Sequence, residues 1–320
     1  MHGALFVVSA SALVTPGPRV PVRSVVSRRA VRAFCSATSR NVLVTGAARG
    51  IGAAISKRFA ADGDRVLLHY RSDAGAAEAV RASLPDGEHL CLHADLSETG
   101  AADALLADAV AAAGRVDVLV VNHGIYEETP VETTSAQAWR ESFERVLRVN
   151  LAAPAALAFA FAQQSKALGG AEQGGAIVFV SSRGARRGEP LAPAYGASKA
   201  GLNSLTGSLA QALAPQNIRV SAVAPGFVAT EMASAVLASE RGDGIRAQSP
   251  FGRVGEPHEI AAAVHHLASE AGAWSSGSVL DCNGVRALRP RPPLMPCISA
   301  HQMTPTVPIP LGSCTTASYS

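Results

Sequence analysis

Between residues 41 and 285 the chain repeats one alternation: a short run rich in Val, Leu, Ile and Ala, then a longer Ala-rich stretch whose apolar positions recur at helical spacing. The short runs predict strands over 42–45, 65–70, 89–93, 116–122, 176–181, 219–224 and 278–281. The stretches between them predict helices over 51–62, 74–83, 100–113, 136–168, 194–213 and 257–270. Strands that stay apolar at successive positions are buried on both faces, and such strands belong to a parallel sheet with helices above and below. Seven strands and six helices in this order, with no internal repeat or linker, predict one α/β domain over 41–285: a single doubly wound parallel seven-stranded sheet flanked by helices.

The flanks lack that pattern. Residues 1–40 contain no acid and are rich in Arg, Ser, Val and Ala, which reads as a targeting peptide or else a disordered extension. The apolar run at 4–15 is too short to span a bilayer, and no membrane span is expected. Set ahead of an Arg- and Ser-rich stretch, it gives a two-part arrangement that resembles plastid targeting in algae with secondary plastids. An organelle is expected, plastid before mitochondrion, or the cytoplasm if the segment is no signal. Residues 286–320 alternate Pro, Ser, Thr and single apolar residues without a period, so a disordered tail without a lipidation motif is expected there.

Charge sharpens the division. All 25 acidic residues lie between Asp62 and Asp281, so the formal net charge of +3 misdescribes the middle. Leaving out Arg19, Arg23, Arg28, Arg29, Arg32, Arg286, Arg289 and Arg291 takes the basic residues from 28 to 20, against those 25 acids. A mildly acidic domain lacks the clustered cations that phosphate backbones need, and no nucleic-acid partner is expected. The five cysteines form no CxxC or Cys/His spacing, so neither a metal site nor a disulfide framework is indicated, and a reducing compartment fits. Cys91, inside the apolar run at 90–92, reads as a strand residue rather than a reactive thiol.

Chemistry first enters at TGAARGIG, 45–52, where the first strand runs into a helix. Gly46, Gly50 and Gly52 permit a tight turn and close approach of backbone to a pyrophosphate, and the helix N-terminus offers unpaired N–H groups. The spacing differs from the common GxGxxG fingerprint, and taken alone the turn serves equally as a structural bend. At the end of the second strand, where a carboxylate normally meets the adenosine ribose of NAD, the chain reads His69, Tyr70, Arg71, Ser72. Arg71, with Arg49 inside the glycine turn, would attract a 2′-phosphate, which favours NADP(H). Asp73 stands close by and both arginines can also be solvated surface groups. A Rossmann-type dinucleotide fold follows from strand, turn and helix together.

The second signal is YGASK, 195–199, on a predicted helix with Ser182 thirteen residues earlier. Positions i and i+4 share a helix face, which sets the ammonium of Lys199 near the phenol of Tyr195. A cation stabilises phenolate and is expected to lower the pKa of Tyr195 toward working pH for proton exchange. The chain has only three lysines, Lys57, Lys166 and Lys199, so one of them at this spacing carries weight. Alone, Tyr-x-x-x-Lys is more often a surface pair.

In order along the chain, TGAARGIG, Asp95, the NHG of Asn122 to Gly124, Asn150 in RVNL, Ser182, YGASK and the PGFVAT of Pro225 to Thr230 resemble the short-chain dehydrogenase/reductase family, and within it the 3-oxoacyl-(acyl-carrier-protein) reductase-like members. The resemblance covers 41–284. It implies that Ser182 hydrogen-bonds the substrate oxygen and Tyr195 delivers the proton. It implies too that Lys199 holds the nicotinamide ribose while tuning Tyr195, and that Asn150 anchors a water leading from Lys199 to solvent. Asp95 with Leu96 would meet the adenine, Asn122 and Gly124 would let backbone approach the adenosine half, and Ile51 lies in the phosphate turn. Thr230 would bind near the carboxamide, with Pro225, Gly226 and Val228 in the segment beneath the ring. A homo-oligomer, tetramer or dimer, is implied as well. Ser181 competes with Ser182 for the serine role, and spacing to Tyr195 selects Ser182.

Two departures stand out. The family reads NNAG or NAG where this chain has Asn122, His123, Gly124, and His123 is read as packing behind the adenosine pocket rather than as a catalytic imidazole. The final strand ends Asp281, Cys282, Asn283, Gly284 in place of a DGG or NGG turn, which bears on subunit geometry. Substrate choice is assigned to a mobile segment over 231–253 and to the lip between Ser182 and Tyr195. The expected substrate is a 3-oxoacyl thioester of acyl carrier protein, an acidic partner for which Arg183, Arg186 and Arg187 supply charge unless they are merely solvated. The alternatives are a small-molecule substrate, in a dehydrogenase of sugars, polyols or other secondary alcohols, and a non-catalytic NADP-binding regulator.

Overall fold

A computed structural model describes residues 39–172 and 174–284, apart from the Met232 side chain; the expected targeting peptide and C-terminal tail lie outside the described residues. Seven strands form one sheet: β1 (Asn41–Val44), β2 (Arg65–Tyr70), β3 (Leu90–His93), β4 (Val118–Val121), β5 (Gly175–Val180), β6 (Ile218–Pro225) and β7 (Val279–Cys282). The order is β3-β2-β1-β4-β5-β6-β7, and every pairing is parallel. The crossovers run through α1 (Gly50–Ala61), α2 (Ala74–Ala82), α3 (Ala101–Ala113), α4 (Ala136–Leu147), α5 (Ala153–Ala167), α7 (Pro193–Leu213) and α10 (Pro257–Ala268). Short helices α6 (Gly184–Arg187), α8 (Glu231–Ala238) and α9 (Arg241–Arg246) complete the set.

The sheet is held by two cores, one on each face. Val42, Val44, Val66, Leu68, Val118, Val120 and Val178 pack against Ile55 and Phe59 of α1 and Ile260 and Val264 of α10. The intervening Leu43, Leu67, Leu119, Ile177 and Phe179 meet Leu105 of α3, Leu157 and Phe161 of α5 and Leu202 of α7. Period-two alternation therefore exists inside these apolar runs, but it sorts one hydrophobic residue from another instead of core from solvent.

Strand order sets where a ligand can lie. The chain leaves β1 toward β2 on one side and returns to β4 on the other, and the opposed crossovers open a crevice at the carboxyl ends of β1 and β4. Thr45, Asn122 and Ser181 follow directly on β1, β4 and β5, so the motif residues converge on that edge.

Two differences from the sequence reading matter, and a third feature bears on membranes. The single helix expected over 136–168 is interrupted by a π-helical turn, Arg148–Ala152. Pro154 explains the break, since it has no N–H to donate to the carbonyl of Asn150, four residues back. The segment after PGFVAT, for which the sequence predicts no helix, folds into α8 and α9, and the lip holds α6. Finally, the helical stretch Ala136–Ala167 is long and apolar enough to cross a membrane by composition, yet half of its most apolar window is buried inside the fold. Leu157 and Phe161 account for that composition as core residues.

Candidate active site

The glycine turn is shaped by close contacts that exclude side chains. A Cβ on Gly52 would stand 2.1 Å from the Gly46 carbonyl oxygen, so helix α1 can approach the turn only with glycine there. Gly46 and Gly50 take φ of 65° and 54°, a region that favours glycine. A Cβ on Gly50 would meet Thr230 Cγ2 at 3.3 Å, which places the PGFVAT segment against the turn. Helix α1 begins with no side-chain cap and no acid in its first turn, leaving its N–H groups and positive end for an anion. These features fit the pyrophosphate of a dinucleotide. Ile51 packs partly into the core behind the turn.

Beneath the turn lie two histidines, His69 buried and His123 partly so. His69 Nδ1 accepts the Gly46 N–H at 3.1 Å while its Nε2–H donates to the Ala94 carbonyl at 3.0 Å. His123 Nδ1 lies 2.8 Å from the Thr45 hydroxyl, and its Nε2–H donates to the Val149 carbonyl at 3.1 Å. A carbonyl can only accept, so both rings carry their proton on Nε2. Burial pushes His69 down to about 4 and His123 to about 3, and each is neutral at ordinary pH. His123 thus braces the glycine turn against the π turn, the structural role expected of it. Asn122 closes the same corner, its Nδ2 donating to the carbonyls of Thr45 and Gly46 at 3.0 and 3.1 Å.

Farther out, Arg49 and Arg71 are exposed and form no ion pair among the described residues. Asp73 is committed elsewhere: its carboxylate caps α2 by accepting the Ala76 N–H at 2.8 Å. Asp95 accepts from the Ser97 N–H and hydroxyl through Oδ1 alone, at 2.9 and 2.7 Å, and those bonds hold its carboxyl below the usual range. Leu96 beside it is buried in the core.

The YGASK residues sit at the start of α7, whose first turn carries Pro193. Lys199 Nζ lies 5.8 Å from the centre of the Tyr195 ring and donates to the Val180 carbonyl at 2.9 Å. Ser182, whose Oγ accepts the Gly184 N–H at 3.0 Å, lies close enough to Tyr195 to favour its phenolate. Ser181 is buried and engaged with Asn203 Oδ1 at 2.6 Å, which leaves Ser182 as the serine facing Tyr195. Asn150, fully buried in the π turn, exchanges two bonds with the Ile125 backbone and donates to Ser198 Oγ at 3.2 Å. Ser198 in turn donates to the Tyr195 carbonyl at 2.7 Å, so Asn150 steadies the helix turn that presents Tyr195. Gly124 lies between these groups, where a Cβ would come within 3.3 Å of Asn150 Oδ1 and 3.5 Å of Lys199 Nζ.

The electrostatics differ from expectation. Burial raises the pKa of Tyr195, with the Ser182 hydrogen bond opposing it, and burial pulls Lys199 down to about 8. The expected lowering by Lys199 is not found: what opposes burial at Tyr195 is Ser182, while Glu189 adds to the rise. At the far edge Pro225 ends β6, Gly226 donates its N–H to the Cys282 carbonyl at 3.0 Å, and Val228 is buried and bridged to Gly255. Of the lip arginines, Arg186 pairs with Asp281, Arg187 approaches Glu189 at 3.9 Å, and Arg183 lies over the Phe227 ring at 4.2 Å. Sequence reasoning missed Tyr126, whose ring meets that of Tyr195 edge-on at 5.1 Å, and Glu189 on the lip. Neither carries a motif signal; only the fold brings them to the site.

A parallel sheet with an uncapped helix at its switch point, beside a serine, tyrosine and lysine in mutual reach, defines a dinucleotide-dependent oxidoreductase. A family model described as enoyl-(acyl carrier protein) reductase matches residues 46–284. An uncharacterized oxidoreductase of Methylorubrum extorquens is 39% identical over 76% of this chain and 95% of its own length. The 3beta-hydroxysteroid dehydrogenase 1 of Eggerthella lenta is 35% identical over 78% and 95%, and the 3-oxoacyl-[acyl-carrier-protein] reductase of Synechocystis 32% over 77% and 96%. The crystal structure of a short-chain dehydrogenase from Burkholderia cenocepacia in complex with NADP superposes with a TM-score of 0.68 at 31% identity, covering 77% of this chain and 96% of that one. The chain belongs to the short-chain dehydrogenase/reductase family, oxidoreductases that act on CH–OH and C=O groups with a nicotinamide cofactor.

Proposed function

We propose that the chain reduces a carbonyl to an alcohol with NADPH, Tyr195 donating the proton. The observation that carries this reading is the placing of the partly buried Tyr195 and Ser182 with the buried Lys199 beside the glycine turn. The nicotinamide supplies, when bound, a hydride for the carbonyl carbon. As charge gathers on the carbonyl oxygen, the Ser182 hydroxyl donates a hydrogen bond to it and Tyr195 Oη passes its proton across. The phenolate left behind faces Lys199, and Asn150 holds the turn in register while the proton is replaced. Lys199 also reaches the ribose. The glycine turn with Ile51 takes the pyrophosphate, Asp95, Leu96, Asn122 and Gly124 border the adenosine half, and Pro225, Gly226, Val228 and Thr230 border the nicotinamide. NADP(H) is supported by the unpaired Arg49 and Arg71 and by the capping role of Asp73.

For the substrate, a 3-oxoacyl thioester of acyl carrier protein, and with it a place in fatty acid synthesis, is supported by the Synechocystis relative. Arg186 and Arg187 also keep side-chain exposures of 49% and 42% on the lip despite their pairing. A small hydroxylated ketone or its polyol product is the second reading, favoured by the carboxylate of Glu189 on the same lip. Assays of NADPH oxidation with acetoacetyl-carrier, acetoacetyl-pantetheine and a panel of hydroxy ketones separate the two. Charge reversal at Arg186 and Arg187 raises KM for the carrier-bound substrate alone if the first is right, and raises both thioester KM values equally if it is wrong.

Two further proposals concern the whole chain. Residues 1–40 direct it to an organelle, plastid before mitochondrion, and a fusion of residues 1–45 to a fluorescent protein should be imported; diffuse cytosolic signal would refute this. The protein works as a homo-oligomer, supported by Phe159 and Trp274 standing 62% and 101% exposed, and light scattering should return a dimer or tetramer.

A further inference from the structure

The lip between Ser182 and Tyr195 carries an acid that the proton-transfer chemistry does not use. Glu189 follows α6, and its side chain is only 14% exposed. Its carboxylate lies over Gly184, where a Cβ would sit 2.8 Å from Oε1, and Gly184 is the residue whose N–H donates to Ser182 Oγ. Among the described residues that carboxylate accepts no hydrogen bond, and its one charged neighbour, Arg187 Nε, stands 3.9 Å away on a half-exposed side chain. A carboxylate held mostly out of water with no protein donor is costly, and the cost is recovered when a donor is brought to it.

The surroundings show where such a donor would come from. Glu189 acts electrostatically on both Tyr195 and Tyr126. Tyr126 stands edge-on to Tyr195 on the opposite lip, 42% exposed, and feels the charges of Glu128 and of Arg241 in α9. The two lips are pinned together by the Thr129 N–H, which donates to the Leu191 carbonyl at 2.7 Å. The phenol that donates the proton is therefore flanked by an aromatic wall and an underused acceptor on a braced frame.

The geometry points to Glu189 as a specificity-determining residue whose carboxylate accepts a hydrogen bond from a substrate hydroxyl one or two carbons from the reacting carbonyl. The site then takes hydroxy ketones, and their diols in reverse, over ketones bearing plain hydrocarbon at that place, with Tyr126 covering the carbon chain between. This rests on the reading of Ser182 and Tyr195 as the group that engages the carbonyl, and it deepens the second substrate reading.

Isosteric pairs test it. Hydroxyacetone and butanone differ by a hydroxyl for a methyl, as do 4-hydroxy-2-butanone and 2-pentanone. For the full chain with saturating NADPH, kcat/KM should favour the hydroxylated member of one pair about tenfold or more, the scale of a hydrogen bond to a charged group. Glu189→Leu should bring that ratio to about one or invert it, and Glu189→Gln, which keeps shape and an acceptor oxygen, should fall between. A ratio that Glu189→Leu leaves unchanged would overturn the assignment. Saturation-transfer NMR of the same pairs on the NADP+-loaded protein separates the two claims. If no ketone is turned over, the reading of Tyr195 fails, while Glu189 is still judged by whether hydroxyl-dependent binding disappears in Glu189→Leu.

Discussion

A phenol in a dry site holds its proton more tightly, and an ammonium in the same site holds its own less tightly. Tyr195 is raised and Lys199 is lowered to about 8, so the resting pair is poised with the proton on the tyrosine. That is the form that donates, and it releases its proton only when a substrate oxygen takes up negative charge. The same physics fixes the acid limit of the fold. His69 and His123, held near 4 and 3 by burial, must stay neutral in the native state. Their folded values lie below the unfolded 6.5, so the stability they confer is complete above that pH and drains away as pH falls toward 4. Urea midpoints should drop steeply between pH 6.5 and 4, and His123→Asn should flatten that slope; a slope unchanged by the substitution would show that His123 titrates normally. At the cofactor's outer edge, Arg71→Asp should cut the ratio of kcat/KM for NADPH to that for NADH by about tenfold or more. An unchanged ratio would remove Arg71 from the 2′-phosphate site.

Elements built from long apolar runs were readable in the sequence, because a strand buried on both faces has no choice but to be apolar throughout. The strands at Val118–Val121 and Gly175–Val180 are of that kind. The short helices were not readable: GARR and RGDGIR have no room for a repeat of apolar positions, and their helicity comes from packing at the site mouth. Tyr126 and Glu189 were hidden for a related reason, since the loops that bring them to Tyr195 carry no period. Catalytic spacing was legible because Tyr195 and Lys199 share one helix turn, and it needed no tertiary knowledge. The π turn left a trace that went unread, Pro154 inside an otherwise helical pattern. Pro154→Ala supplies the missing N–H and should let the α-helical ladder run through Asn150. The expected result is a Tm no lower than that of the unaltered protein with kcat reduced about tenfold, as Asn150 leaves its place behind Tyr195. Unaltered kcat would mean that the turn serves packing alone.

At the scale of the molecule, one sheet separates two cores, and the site lies along the carboxyl edge of the strands, beyond the bulk of both. Stability and chemistry should therefore be separable. Phe161 is fully buried and touches the Gly175 backbone, where a Cβ would sit 2.8 Å from its ring. Phe161→Ala should cost about 3–5 kcal/mol by urea titration while leaving kcat near its original value at a temperature where the variant stays folded. A large loss of kcat in the folded variant would show that the core reaches the active edge after all. The central claim, that this edge moves a proton through Tyr195 as hydride reaches a carbonyl carbon, is tested most directly by Tyr195→Phe. With NADPH binding measured separately by fluorescence, the variant should bind the cofactor normally and transfer hydride at least about a hundredfold more slowly in single-turnover assays. Hydride transfer at the original rate, with the phenol gone, would contradict the account.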